Sequence, residues 1–109
     1  MKIVNKPWGR EIWIANTNKY LGKILIIKKG HRLSKQYHKI KDETLYCDKG
    51  KYVMELGRKT LIIKPGQPVR IKPGTIHRMY AKFSDVRIIE VSTPQPKDRV
   101  RIEDDYKRK

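Results

Sequence analysis

Lys51 to Gly74, K-Y-V-M-E-L-G-R-K-T-L-I-I-K-P-G-Q-P-V-R-I-K-P-G, sets three short apolar runs between turn signals. Lys51–Leu56 and Lys59–Lys64 flank Gly57-Arg58, a two-residue loop with glycine at its first central position, which suits a type II′ hairpin. Pro65-Gly66 turns the chain, Pro68 to Lys72 forms another short strand, and Pro73-Gly74 turns it again into I-H-R-M-Y. Runs this brief, punctuated this regularly, predict strands rather than helices.

The pattern continues outward in both directions. Downstream, Val86 to Ser92 is a strong strand ahead of the loop T-P-Q-P-K. Upstream, Glu43 to Asp48 is a strand closed by Lys49-Gly50, and Leu33 to Ile40 is another. Tyr20 to Lys28 is a continuous apolar run that predicts a strand covered on both faces. Glu11 to Ala15 is short and β-like, and Asn5 to Arg10 reads as a turn with Trp8 capping a core edge. No segment of ten or more residues carries a 3.6-residue apolar period. Eight or nine short strands therefore predict a small all-β sandwich or barrel, a single domain over residues 1–109.

Twenty-seven Lys and Arg against eleven Asp and Glu give a formal charge of +16, which favours an anionic partner. The cations are spread along the chain and no aromatic residues interleave with them, so a nucleic-acid platform is not expected. The single cysteine, Cys47, is expected to be a buried, reduced thiol. No apolar run reaches the roughly 20 residues that cross a bilayer, and M-K-I-V-N-K-P lacks the apolar segment of a signal peptide, so the expected location is cytoplasmic.

The chemistry centres on Gly30 to Gly50, G-H-R-L-S-K-Q-Y-H-K-I-K-D-E-T-L-Y-C-D-K-G. Gln36 and His38 have the spacing that puts both side chains on one face of a strand. Glu43 follows, and if it faces inward, so do Leu45 and Cys47. His77 arrives later, behind a Pro-Gly turn. One amide oxygen, two imidazoles and one carboxylate form a four-ligand set for a divalent metal, with room for water or substrate. Zinc, manganese, iron and nickel all suit it. His31, of opposite parity to Gln36, is expected to be exposed.

Gly30 through Gln36, His38 and Glu43 to Gly50 resembles the first signature of the cupin superfamily, and Gly66 through Gly74 to His77 resembles the second. Gln36 stands where the first histidine of H-x-H is usual, and Lys72 where a proline is usual, with Pro73 one place later. More narrowly, K-P-W-G-R-E at 6–11, K-K-G-H-R-L-S-K-Q-Y-H at 28–38, P-G-T-I-H-R at 73–78, I-I-E-V at 88–91 and V-R-I-E-D-D-Y-K-R at 100–108 resemble the cupin domain of type II mannose-6-phosphate isomerases. That domain also occurs fused behind mannose-1-phosphate guanylyltransferase. The resemblance implies a jelly-roll barrel, the double-stranded β-helix, and a stand-alone isomerase module in which a metal helps interconvert mannose 6-phosphate and fructose 6-phosphate.

Such chemistry needs cations for a phosphate and a base to carry a proton. Arg32, Lys72 and Arg101 are the phosphate candidates, whereas Arg78 is expected to point outward if the pleat continues from His77. Glu103, Asp104, Asp105 and Tyr106 are candidate bases should the C-terminal segment fold over the barrel mouth, and no single base is assigned. A metal-dependent oxygenase and a non-catalytic binding module for a phosphorylated or nucleotide sugar remain open alternatives. Exposed sheet edges favour a homodimer.

Overall fold

A computed structural model of the chain describes residues 1–108 and contains no helix among them. Its strands are β1 (Lys2–Lys6), β2 (Gly9–Asn16), β3 (Leu21–Ile27), β4 (Lys35–Tyr37), β5 (Glu43–Lys49), β6 (Tyr52–Leu56), β7 (Lys59–Ile63), β8 (Pro68–Ile71), β9 (His77–Tyr80), β10 (Val86–Ser92) and β11 (Val100–Glu103). One sheet has the order β1-β2-β3-β10-β5-β8 and the other β11-β4-β9-β6-β7. The eight strands β3 to β10 thus cross between the two sheets at every step except the β6–β7 hairpin, as a jelly roll, with β1 and β2 extending the first sheet and β11 the second. Leu25, Leu45, Ile71 and Ile88 from one sheet meet Tyr52, Met54, Ile63 and Met79 from the other in the core.

Local chemistry explains most boundaries. β6 and β7 pair directly across Leu56 and Lys59, and only Gly57 of the two loop residues has positive φ (60°), as a type II′ turn requires. Cys47 is a buried free thiol whose Sγ–H donates to the Gly50 carbonyl at 2.9 Å, and burial pushes its pKa up.

Three boundaries depart from expectation. Strand β1 is additional, and its pairing of Lys6 with Gly9 leaves only Pro7-Trp8 as the turn, which drives Trp8 into the core at 2% exposure. Strand β4 is shorter than Leu33–Ile40, because the Asp98 carboxylate accepts the backbone N–H groups of Lys39, Ile40 and Lys41 at 3.1, 2.6 and 2.8 Å. Those donors are therefore lost to any ladder. Strand β3 is covered on one face only. Its outward Ile24 is half-buried in a cross-strand row with Ile12, Ile89 and Tyr46, which accounts for the continuous apolar run.

The inward rows are not uniformly apolar. Leu25 and Ile27 on β3, Val86 and Ile88 on β10, and Leu45 and Cys47 on β5 form the apolar end. Farther along the same rows stand Lys23, Glu90, Ser92 and Glu43, all buried. Lys23 lies directly opposite Glu90, and Ser92 opposite Glu43. This division gives the sandwich a polar chamber at one end.

Gly9 fixes how the first hairpin joins the roll. A Cβ there would lie 1.9 Å from the Ile26 carbonyl oxygen, whereas one at Gly57 would meet nothing within 4 Å. Gly9→Ala should cost about 3 kcal/mol or more, because backbone must move. Gly57→Ala should cost roughly 1–2 kcal/mol, from conformation alone. Urea denaturation of both variants checks the order.

Candidate metal centre and its cavity

His38 follows the end of β4, Glu43 opens β5, and His77 opens β9 beside Gln36, its ladder partner. Two neighbouring strands of one sheet, β4 and β9, and β5 of the other thus deliver a side chain at or just past one end to a single place. His38 Nε2 and His77 Nε2 each lie 3.6 Å from Glu43 Oε1, with all three residues buried.

The opposite ring nitrogens define the tautomers. His38 Nδ1 contacts the Asp98 carbonyl and His77 Nδ1 the Thr75 carbonyl, the latter at 2.9 Å. A carbonyl only accepts, so each Nδ1 carries the proton and each Nε2 presents a lone pair. Both Nε2 atoms are buried without a hydrogen-bond partner. Two orphaned acceptors converging on one carboxylate fit a divalent cation, which would satisfy all three at once. Burial holds the His77 pKa below the ordinary imidazole value, which keeps its lone pair available. Gln36 lines the same cavity; its Oε1 accepts the Ser34 hydroxyl at 2.7 Å and retains a second lone pair.

Lys41 was not anticipated from the sequence, yet it organises this site. Its ammonium lies 3.0 Å from Glu43 Oε2 and 2.9 Å from Glu90 Oε2, at 5% residue exposure. It therefore occupies one Glu43 oxygen and leaves Oε1 to face the imidazoles. Burial alone would raise the Glu43 pKa, but the Lys41 ammonium overcomes it and holds the carboxyl below its usual range. Burial likewise opposes the Lys41 charge, yet Glu90 and Glu43 raise its pKa. Ser92 Oγ donates to Glu90 at 3.1 Å. A second pair lies alongside: Lys23, at 3% exposure, sits 3.7 Å from Glu11 and 4.1 Å from the centre of the Trp13 ring, whose Nε1–H donates to Glu11. Strand parity carried a signal for two of these residues, since Lys23 alternates with Leu25 and Ile27, and Glu90 with Val86 and Ile88. Lys41 lies in a loop, where no periodicity marks it.

Gln36, His38, Glu43, Lys41, Glu90, Glu11 and Lys23 line a cavity with about 500 Å³ of atom-free space, its open solvent side included, and His77 lies behind Glu43 outside that lining. Arg32, Lys72 and Arg101 are not among its lining residues. Arg32 makes two hydrogen bonds to Asp105, at 2.6 and 2.8 Å. Lys72 is exposed beside the Pro73-Gly74 turn, and Arg101 stands on β11 opposite Gln36. Arg78 corrects the expectation of an outward, solvated side chain. It does leave the face opposite His77, but at 2% exposure, because that face is covered: Nε donates to the Leu33 carbonyl at 2.9 Å, and Glu103 and Asp105 lie 3.4 and 3.7 Å away. The C-terminal acids engage arginines instead of the cavity, and Tyr106 bonds and stacks with a half-buried His31.

Replacing Lys41 by methionine would leave Glu43 and Glu90 without their shared cation. Lys41→Met should destabilise the metal-free protein by about 3–5 kcal/mol at neutral pH. The wild-type Glu43 contribution is fully present above the ordinary carboxyl pKa and lost as pH falls toward about 2. In the variant, the two carboxyls should have raised pKa values, so stability should recover as pH falls toward about 5. Chemical denaturation across pH in chelator should reveal these opposite slopes.

The family model described as mannose-6-phosphate isomerase C-terminal matches residues 1–108. No curated protein sequence gives a significant match. Among solved structures, KdgF from Halomonas sp. superposes with a TM-score of 0.81 at 19% identity, covering 90% of each chain. The capsular polysaccharide assembling protein CapF from Staphylococcus aureus gives 0.79 at 17% identity, over 94% of this chain and 34% of its own. The cupin-2 domain protein Rru_A2000 from Rhodospirillum rubrum gives 0.76 at 13% identity, over 84% and 63%. These likenesses bear on the fold, while the family match spans every residue described. The chain has the fold of that cupin-2 domain protein and belongs to the mannose-6-phosphate isomerase C-terminal family.

Proposed function

We propose that this chain is a metal-dependent isomerase of a sugar phosphate, interconverting mannose 6-phosphate and fructose 6-phosphate. The observation that carries the reading is the convergence of two orphaned imidazole nitrogens on one carboxylate oxygen, at a cavity of mixed charge that His38 and Glu43 line. The family match supports the choice of substrate.

His38, Glu43 and His77 would hold the ion, with the Gln36 amide oxygen as a fourth donor. A divalent ion there would supply Lewis-acid polarisation of a carbonyl oxygen. The chain's own groups do the rest. Asp98 and Thr75 carbonyls fix the imidazole tautomers, and Lys41 keeps Glu43 to one available oxygen. Trp8, Leu25, Leu33 and Met79 form an apolar wall that limits water. Moving a proton between adjacent sugar carbons requires a base within hydrogen-bond reach. Glu11 and Glu90 are the cavity carboxylates outside the ion-binding set, and we assign the proton carrier to that pair instead of the C-terminal acids.

The purified protein should contain about one divalent ion per chain by elemental analysis, and His38→Ala or His77→Ala should remove it. A coupled assay should show interconversion that chelation abolishes and metal restores. Glu11→Gln or Glu90→Gln should lower turnover by roughly a hundredfold while metal content is retained. Isomerisation that survives complete metal removal rejects the reading. Tight mannose 6-phosphate binding without turnover replaces it with a non-catalytic binding module.

A further inference from the structure

The cavity differs in charge between floor and mouth. On the floor each cation is matched: Lys41 lies between Glu43 and Glu90, and Lys23 is beside Glu11. The mouth carries three half-buried cations: Lys6 at the end of β1, Arg99 just before β11, and Arg108 in the C-terminal segment. Arg108 is anchored by Asp104, with Nε at 2.8 Å from Oδ2 and Nη2 at 3.3 Å from Oδ1. Lys6 and Arg99 take part in no ion pair among the described residues.

We infer that Lys6, Arg99 and Arg108 form an anion subsite that receives the phosphate of the ligand at the cavity mouth, with the sugar's carbonyl end directed to the floor that His38 and Glu43 line. Burial lowers the Lys6 pKa; Glu11 attraction opposes this, whereas Arg99, Arg108 and Lys23 add to it, so these like charges feel one another across the opening. Exposed lysines elsewhere on a chain of +16 are solvated, but these three cations line one opening and repel one another, and neither Lys6 nor Arg99 has an ion-pair partner among the described residues. A dianion would relieve that repulsion, with Arg99 offering a planar donor fork, Lys6 a point charge and Arg108 the charge and donors that Asp104 leaves over. Arg32 is a poorer choice because it does not line the cavity.

The subsite rests on the sugar-phosphate reading only for the identity of the ligand that carries the phosphate. Its test is therefore independent of turnover. Metal-stripped protein is titrated with inorganic phosphate by calorimetry at fixed ionic strength. Wild type should bind saturably, and Lys6→Gln and Arg99→Gln should each weaken binding by roughly tenfold. Lys6→Arg, which keeps the charge, should stay within about threefold of wild type, and Lys72→Gln within about twofold. Absence of saturable binding, unchanged affinity in both Gln variants, equal loss in Lys6→Arg and Lys6→Gln, or loss confined to Lys72→Gln would each overturn the subsite. Phosphate binding through Lys6 and Arg99 without isomerisation would keep the subsite and discard the isomerase. Isomerisation with a KM unmoved in Lys6→Gln and Arg99→Gln would do the reverse.

Discussion

A single ammonium group, Lys41 Nζ, between two carboxylates on neighbouring strands is the constraint on which this architecture depends. Glu43 on β5 and Glu90 on β10 point into the same interior space, and without a cation between them neither could remain ionised there. With it, the sandwich can tolerate a charged chamber where a small β-protein would ordinarily place aliphatic side chains. The loop that carries Lys41 is in turn held by Asp98, whose carboxylate takes three backbone N–H groups and whose carbonyl faces His38. One residue thus sets both the loop path and an imidazole orientation.

Two kinds of order coexist inside the roll. At one end, packing of Leu, Ile, Val and Met between the sheets supplies the hydrophobic driving force. At the other, specificity comes from directional contacts: Glu11 to Trp13 and Lys23, Glu90 to Ser92 and Lys41, and both histidines to carbonyls. Such networks stabilise only when fully satisfied. The two unsatisfied imidazole nitrogens therefore stand out against a background in which their neighbours are partnered.

Much of this was legible in the sequence. Turn chemistry at Gly57-Arg58, Pro65-Gly66 and Pro73-Gly74 located the middle strands, and two-residue parity put Glu43, Leu45 and Cys47 on one inward face. The spacing of His38, Glu43 and His77 anticipated a cluster that the fold does assemble. What escaped notice has identifiable causes. Lysine is so often a surface residue that Lys23 and Lys41 did not register as interior, although strand parity marked the first. Arg78 obeyed the pleat, but parity says nothing about what covers the far side of a strand. Arg32 and Lys72 lie close to the motifs in sequence and away from the cavity in space, whereas Lys6, Arg99 and Arg108 are remote in sequence and line it together.

The eight-strand roll and its added strands divide the work between them. The donors for an ion belong to the roll, while Lys6 and Trp8 come from the leading hairpin and Arg99 and Arg108 from the trailing segment. Such a plan is modular: an invariant hearth could be combined with an interchangeable rim, so related chains could exchange one guest molecule for another by rewriting their ends and leaving the interior untouched.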